Sequence, residues 1–184
     1  MRVMGIDPSL TGTGWATSLT SYGTLRTKAG QSDRLAVIYD GITAAIVAPS
    51  PHLAVVEDLP KHAKGARLTG MVQGVVRLAL VNAGVPFVLV PAASLKVLAT
   101  GKGNADKASM REALAEHLGM AVRDDNQVDA LWLRETGRIL AGHPDALVLP
   151  AQHTRALAKM PSRPRRSQCL QMWTPRMFWF STTK

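Results

Sequence analysis

A single cysteine, Cys169, stands in 184 residues, so neither a disulfide framework nor a cysteine-ligated zinc site can form within the chain. No apolar run approaches the ~18 residues that a membrane-spanning helix needs. In the opening MRVMGIDPS, Asp7 interrupts too early for the apolar core of a signal peptide. These absences point to a cytoplasmic protein. Acids are scarce as well: thirteen Asp and Glu face twenty-two Lys and Arg, a net charge of +9. What the chain does have is core. Hydrophobic residues make up 46% and charged residues 19%, which excludes disorder throughout. The length fits one domain with a short appendage.

Charge is unevenly spread. From Ala151 to Lys184 the chain carries Arg155, Lys159, Arg163, Arg165, Arg166, Arg176 and Lys184 and no acid, which leaves +2 on residues 1–150. A basic tail on a nearly neutral body points to an acidic polymer as partner, most simply nucleic acid. The plain alternative is a solvated tail without a role. Beyond about Met160 there are three prolines, four of the nine aromatics and no periodicity. There Arg163, Arg165, Arg166 and Arg176 beside Trp173, Phe178, Trp179 and Phe180 could track a strand by charge and stack on unpaired bases. The segment could equally be an incidental extension from an altered reading frame. The domain division is therefore a folded body over 1–150 and a basic, poorly ordered extension over 151–184.

Hydrophobic spacing sets out the body. Arg2–Asp7 reads as a first strand. A turn-rich segment, Pro8–Gly14, separates it from strands at Trp15–Ser18 and Tyr22–Lys28. Ser32–Ala48 has helical spacing with Ser32 as N-cap. Leu53–Val56 is a short buried strand ending at Glu57 and Asp58. A basic loop, Pro60–Arg67, leads into a helix over Leu68–Asn82, closed by Gly84 and Pro86. Phe87–Val90 is a further strand and Pro91–Thr100 holds a short helix. After the loop Gly101–Asp106, Lys107–Leu118 and Asp124–Leu140 are helices, the latter with Val128, Leu131, Trp132 and Ile139 as its apolar face. A strand meander followed by alternating strands and helices gives the α/β class: a mixed sheet flanked by helices.

With so few acids, their placement is informative. Asp7 ends one apolar strand and Glu57 another, and an unpaired carboxylate desolvated there costs several kcal/mol unless a cation is adjacent. Asp125 and Asp129 lie four apart on one helix face, where like charges repel. The plain readings are turn, cap and dipole roles. Taken in order, strand-Asp, strand-Glu and helix-Asp describe a two-metal hydrolase site. Its all-oxygen ligand set suits Mg²⁺ or Mn²⁺, not zinc.

Four motifs, GIDPSLTGTGWA at 5–16, VVEDLP at 55–60, PAASLKVLATGKGNADK at 91–107 and DDNQVDALWL at 124–133, resemble the RuvC-type Holliday junction resolvases, with the phage-borne branch the closer likeness. The resemblance covers roughly residues 1–150 and implies a ribonuclease H-like fold. It implies that Asp7, Glu57 and Asp129 are metal ligands in a Mg²⁺ site, with Mn²⁺ as substitute and two ions per site. A further ligand is implied three or four positions before Asp129, on Asn126 or Asp125. The helix face favours Asp125, while Asn126 also offers an oxygen. Lys107 matches the lysine of the family's basic motif, placed at the scissile phosphate. Cellular members carry an aromatic residue just after the catalytic Glu, whereas Leu59, Pro60 and His62 stand here.

The activity implied is crossover junction endonuclease action: paired phosphodiester hydrolysis at a four-way DNA junction, in recombination and repair. Lys61, Lys64 and Arg67, with Lys102 and Lys107, then serve as DNA contacts beside Gly101 and Gly103. Two symmetric cuts call for a homodimer. Its seam is sought on the helix over 68–82, through Met71, Val72, Val75, Val76 and Ala79, a stripe that as plain core would need no partner. Two rival readings stand beside this one. A non-catalytic DNA-binding relative would keep the fold and lose acids. The segment IDPSLTGTG also resembles the phosphate loop of actin-like sugar kinases, but 184 residues supply only one of their two domains.

Overall fold

The computed structural model describes residues 1–28, 31, 33–58 and 66–160. The strands are β1 (Val3–Asp7), β2 (Gly12–Ala16), β3 (Tyr22–Arg26), β4 (Leu53–Asp58) and β5 (Phe87–Pro91). They form one sheet in the order β3-β2-β1-β4-β5. The first three make an antiparallel meander, and β4 and β5 extend β1 in parallel. The helices are α1 (Arg34–Val47), α2 (Ala66–Asn82), α3 (Ala92–Thr100), α4 (Lys107–Leu118), α5 (Asp125–Leu140) and α6 (Ala151–Thr154), followed by a 3₁₀ turn at Arg155–Lys159. The mixed, helix-flanked sheet is the architecture expected from the spacing.

Each face of the sheet has its own core, because successive strand residues point to opposite sides. Met4, Ile6, Ala54, Val56 and Phe87 pack against Ile38, Ile42 and Ile46 of α1 and Val72, Val76, Ala79 and Leu80 of α2. Val3, Leu53, Val55, Val88 and Val90 face α5, with Leu95 and Leu98 of α3 and Met110 and Leu114 of α4 in the same cluster. Asp7 and Glu57 continue the α5-facing series of β1 and β4. The strand meant to bury apolar surface under α5 thus ends in a carboxyl group.

α5 lies unusually low on that face. A Cβ on Gly5 would sit 2.0 Å from the Ala130 carbonyl oxygen, and one on Gly14 would sit 2.0 Å from that of Asn126. Farther along, a Cβ on Gly137 would meet Val3 and Val55 at 2.6 Å. Glycines on both partners let backbone approach backbone. The close seat explains why Val128, Leu131, Trp132, Arg134, Glu135 and Thr136 are all buried. The helix is covered nearly all round, well beyond the single apolar face expected of it.

Several boundaries differ from the sequence reading. The second strand begins at Gly12, inside the segment taken as a turn, and ends at Ala16. Glycines look like turn residues, but here TGTG pairs with both β1 and β3 and leaves room for α5. The N-cap position of α1 is Asp33, and Ser32 lies outside the described residues. The extension also begins later than residue 150. His153, Ala156 and Met160 are buried, and the core cluster takes in Ala156 and Met160. His153 Nδ1 lies 2.9 Å from the Leu98 carbonyl and Arg155 donates to the Gly101 carbonyl at 2.9 Å. Basic composition had hidden those apolar contacts. Residues 161–184 lie outside the described residues. Among the described residues no helix is long and apolar enough to cross a membrane.

The seat of α5 is directly testable. Gly5→Ala should lower the unfolding free energy by about 2–3 kcal/mol, the scale of forced overpacking. For a chain of this size that is roughly 4–12 °C in Tm. Gly74, in the interior of α2 with nothing within 4 Å of its would-be Cβ, supplies the contrast. Gly74→Ala should raise stability by about 0.5–1 kcal/mol. Equal thermal shifts for the two variants would refute the close-approach account.

Candidate active site

The parallel pairing of Ile6 with Val56 puts Asp7 and Glu57 side by side at the carboxyl ends of adjacent strands. The pairing of Asp7 with Gly14 puts the first turn of α5, over Gly14, above the same edge. Asp129 follows one turn later, next to the Ala130 carbonyl that rests on Gly5. Three carboxyl groups from β1, β4 and α5 therefore converge at one end of the sheet.

Their ionisation shows the convergence. Burial pushes the Asp7 carboxyl well above its usual range, and the charges of Glu57 and Asp129 push the same way. Glu57 is raised to about 7, first by burial and then by Asp129. Asp129 is raised to about 6, by burial and by Asp125. Two lysines oppose these shifts. Lys107 lowers both Asp7 and Asp129, and Lys96 lowers both Glu57 and Asp129. Lys96 was missed in the sequence because it sits in a short, largely apolar helix. Its position five residues after Pro91, which pairs with Asp58, was the available signal.

The approach of α5 is fixed by a cap. Asp124 accepts the Asn126 backbone N–H at 3.0 Å and the Thr24 hydroxyl at 3.0 Å, and pairs with Arg26 at 2.5 Å. Burial works against its ionisation, but the Thr24 and Asn126 hydrogen bonds and the Arg26 guanidinium hold it below the ordinary carboxyl range. Asn126 also donates its side-chain amide to Asp124 at 3.1 Å. Asp125 turns to α4 instead, with Lys107 Nζ at 2.8 Å and Arg111 at 3.5 Å. The Asp125 contact raises the Lys107 ammonium above its usual value. On the other side, buried Gln73 of α2 donates to the Glu57 carbonyl at 2.9 Å. The turn after Asp7 is closed by Thr13, whose hydroxyl donates to the Ser9 carbonyl at 2.7 Å.

Of the remaining basic residues singled out in the sequence, Arg67 and Lys102 are exposed at the start of α2 and in the loop after α3. Lys61 and Lys64, with Leu59, Pro60 and His62, lie outside the described residues. Among the described residues no group of three His, Cys, Asp or Glu is already gathered as a metal site. The donor chemistry nonetheless fits a hard divalent cation: oxygen donors only, desolvated, with pKa values raised by burial and neighbouring carboxylates.

Raised carboxyl pKa values set the sign of the pH dependence. The folded chain binds more protons than the unfolded one from the ordinary carboxyl range up to about pH 7. Metal-free stability should therefore fall as pH rises through that window. Asp7→Asn removes one of the repelling charges and should raise the metal-free Tm at pH 8 by a few degrees, each ~1 kcal/mol being worth roughly 2–4 °C. A lower Tm for that variant at pH 8 would contradict the repulsion described.

Comparison with known proteins gives the same outline. The sequence profile of the crossover junction endodeoxyribonuclease RuvC matches residues 3–133. A RuvC of Chloroflexus aggregans is 37% identical over 145 residues, covering 71% of this chain and 88% of that protein. A RuvC of Sorangium cellulosum is 33% identical over 183 residues, covering 91% of this chain and 99% of its own length. At that coverage the likeness runs past the 150 residues over which the motifs lie. Thermus thermophilus RuvC has a similar fold, with a TM-score of 0.67, 23% identity and coverage of 81% of this chain and 100% of that one. The same protein in complex with a Holliday junction substrate gives a TM-score of 0.68 at 24% identity, covering 81% of this chain and 99% of that one. The ribonuclease H-like sheet, the order of the motifs and the profile match agree, and the chain belongs to the RuvC family of crossover junction endodeoxyribonucleases.

Proposed function

We propose that this chain resolves four-way DNA junctions by paired, divalent-metal-dependent phosphodiester hydrolysis in the cytoplasm. The observation that carries the reading is the meeting of Asp7, Glu57 and Asp129 in a largely desolvated site where burial and neighbouring carboxylates disfavour the ionisation of all three. Family membership brings dependence on a divalent metal. Asp7, Glu57 and Asp129 would hold two ions, Mg²⁺ or Mn²⁺ in its place. Bound there, such ions polarise the scissile phosphate and acidify a water. A non-catalytic relative would lack acids, yet all three are present, and family membership leaves the kinase-like reading without support.

The chain's own groups do the positioning. Lys107 has a side chain that is 76% exposed, so its ammonium can leave Asp125 for the phosphate that gains charge in the transition state. Lys96 stands on the opposite flank and tempers Glu57 and Asp129. Gln73 fixes the Glu57 backbone from α2, and the Asp124 cap fixes α5. Asp125 is the better fourth oxygen donor. Its Oδ1 is buried and accepts no hydrogen bond among the described residues, with Arg111 at 3.5 Å, and it carries the full carboxylate charge, whereas Asn126 is neutral and is held against the cap by its amide N–H to Asp124. Lys61, Lys64, Arg67 and Lys102 would hold the DNA arms with Lys107.

Two cuts at a symmetric junction call for two sites, hence a homodimer. The structure splits the stripe read from the sequence. Val72, Val76 and Ala79 are buried in the chain's own core, while Leu68, Met71 and Leu78 are 53%, 52% and 52% exposed. With half-buried Val75 they form an outward apolar stripe on α2. We infer that this outward stripe, on the face of α2 away from buried Gln73, is the dimer face.

Asp7→Asn should abolish cleavage of a four-way junction in Mg²⁺ while junction binding persists, since it removes an oxygen ligand and eases repulsion with phosphate. Cleavage at the wild-type rate would remove Asp7 from the site. Asp125→Ala should cost more activity than Asn126→Ala, and the reverse order would make Asn126 the fourth donor. Leu78→Lys should turn a dimer into a monomer in sedimentation at micromolar concentration. A dimer that survives that substitution would place the seam elsewhere.

A further inference from the structure

A second site lies beside the first, on the far flank of α3. Between α3 and the 3₁₀ turn at Arg155–Lys159 runs a cleft of about 330 Å³. Ala93, Val97 and Ala156 give it apolar walls, Ser94 adds a hydroxyl, and Arg155 and Lys159 supply two cations. Both cations are exposed, while Ser94 and Ala156 are buried. Arg155 uses one guanidinium N–H on the Gly101 carbonyl, at 2.9 Å. A guanidinium has five such donors, so the contact that anchors it leaves others for a ligand.

The lining carries one sign of charge: Arg155 and Lys159 are its charged residues, and among the described residues no acid lines it. The position is equally specific. α3 begins just after Pro91, which pairs with Asp58, the neighbour of Glu57. One flank of α3 therefore carries Lys96 toward the acid cluster, and the other lines the cleft. A strand whose scissile phosphate lies at the acids has the cleft within reach along the same helix.

We propose that this cleft holds one deoxyribose-phosphate unit of the DNA strand flanking the cut. The phosphate lies between Arg155 and Lys159, and the apolar face of the sugar rests on Ala93, Val97 and Ala156. The apolar walls separate this site from a bare electrostatic patch. Two cations on a solvated surface would attract any phosphate, whereas a cleft of this volume takes one unit and so fixes the strand's register over the acids. The inference rests on the junction-cutting reading for its ligand.

The test is junction binding without divalent metal, measured across a salt series, for the full chain and two variants. Lys159→Gln should reduce the slope of log affinity against log salt by about 0.9, the loss of one phosphate contact. Ala93→Glu places a carboxylate at the exposed edge of the cleft and should weaken binding at low salt at least tenfold, while Ala93→Gln should do so much less. Wild-type slope and affinity in both Lys159→Gln and Ala93→Glu would overturn the proposal. Junction cleavage by the wild-type chain in Mg²⁺ is scored separately. Its absence would sink the nuclease reading, whereas cleavage with unaltered variant binding would sink the cleft alone.

Discussion

Everything at the site depends on how closely α5 rests on the sheet. Ordinary helix-on-sheet packing is set by side chains on both surfaces. Here Gly5 and Gly14 remove the sheet's side chains below Ala130 and Asn126, and Gly137 removes the helix's own above Val3 and Val55. The helix drops until backbone meets backbone. Asp129 and the capping turn at Asp124–Asn126 are thereby carried down to the strand ends where Asp7 and Glu57 stand. Any Cβ at Gly5 or Gly14 would lift them together. Catalytic geometry tolerates such shifts poorly, since a displacement of ~1 Å can cost about a hundredfold in rate.

The close seat creates an electrostatic conflict that the fold does not resolve by itself. Three carboxyl groups share a desolvated corner, and their pKa values are pushed up by burial first and by neighbouring carboxylates second. A chain selected for stability alone would replace one of them. Instead the surrounding structure over-determines the arrangement. Core clusters on both faces of the sheet, the Asp124 cap with Arg26 and Thr24, and the Gln73 hydrogen bond hold the corner in place. Strain of this kind persists at functional sites because the rest of the fold supports it. Under the proposed function, a divalent cation would relieve it directly, and metal affinity would draw on the same repulsion that weakens the metal-free fold.

Much of this was legible in the sequence, for physical reasons. Strand ends with carboxylates are rare enough to notice, and Asp7 and Glu57 stood out on desolvation grounds. The end of α2 was readable from its terminators, Gly84 and Pro86. β2 was not, because glycine signals a turn by its freedom and a close contact by its smallness, and the letters do not say which. The outward stripe on α2 was blurred for a related reason. Leu68 and Leu78 share the helix with buried valines, and only the position of the sheet separates the two faces. Lys96 and the 151–160 segment escaped because their roles come from neighbours far away in sequence.

Charge placement, more than total charge, explains how a body of only +2 can receive a polyanion at an acidic corner. The stretch from Lys96 to Arg111 contributes Lys96, Lys102, Lys107 and Arg111 against one acid, Asp106. That acid is engaged as the N-cap of α4, accepting the Ser109 N–H at 2.8 Å. Lys107 therefore leaves the cap with its charge directed at Asp125, while Lys96 lowers the pKa of Glu57 and Asp129. The 3₁₀ turn completes the arrangement by tethering Gly101 through Arg155, at the start of the loop that separates the two lysines. Between them the two lysines temper all three acids. Under the proposed function, a phosphate backbone would be drawn to these lysines, and the carboxylates that would repel it are the groups that a divalent cation would neutralise.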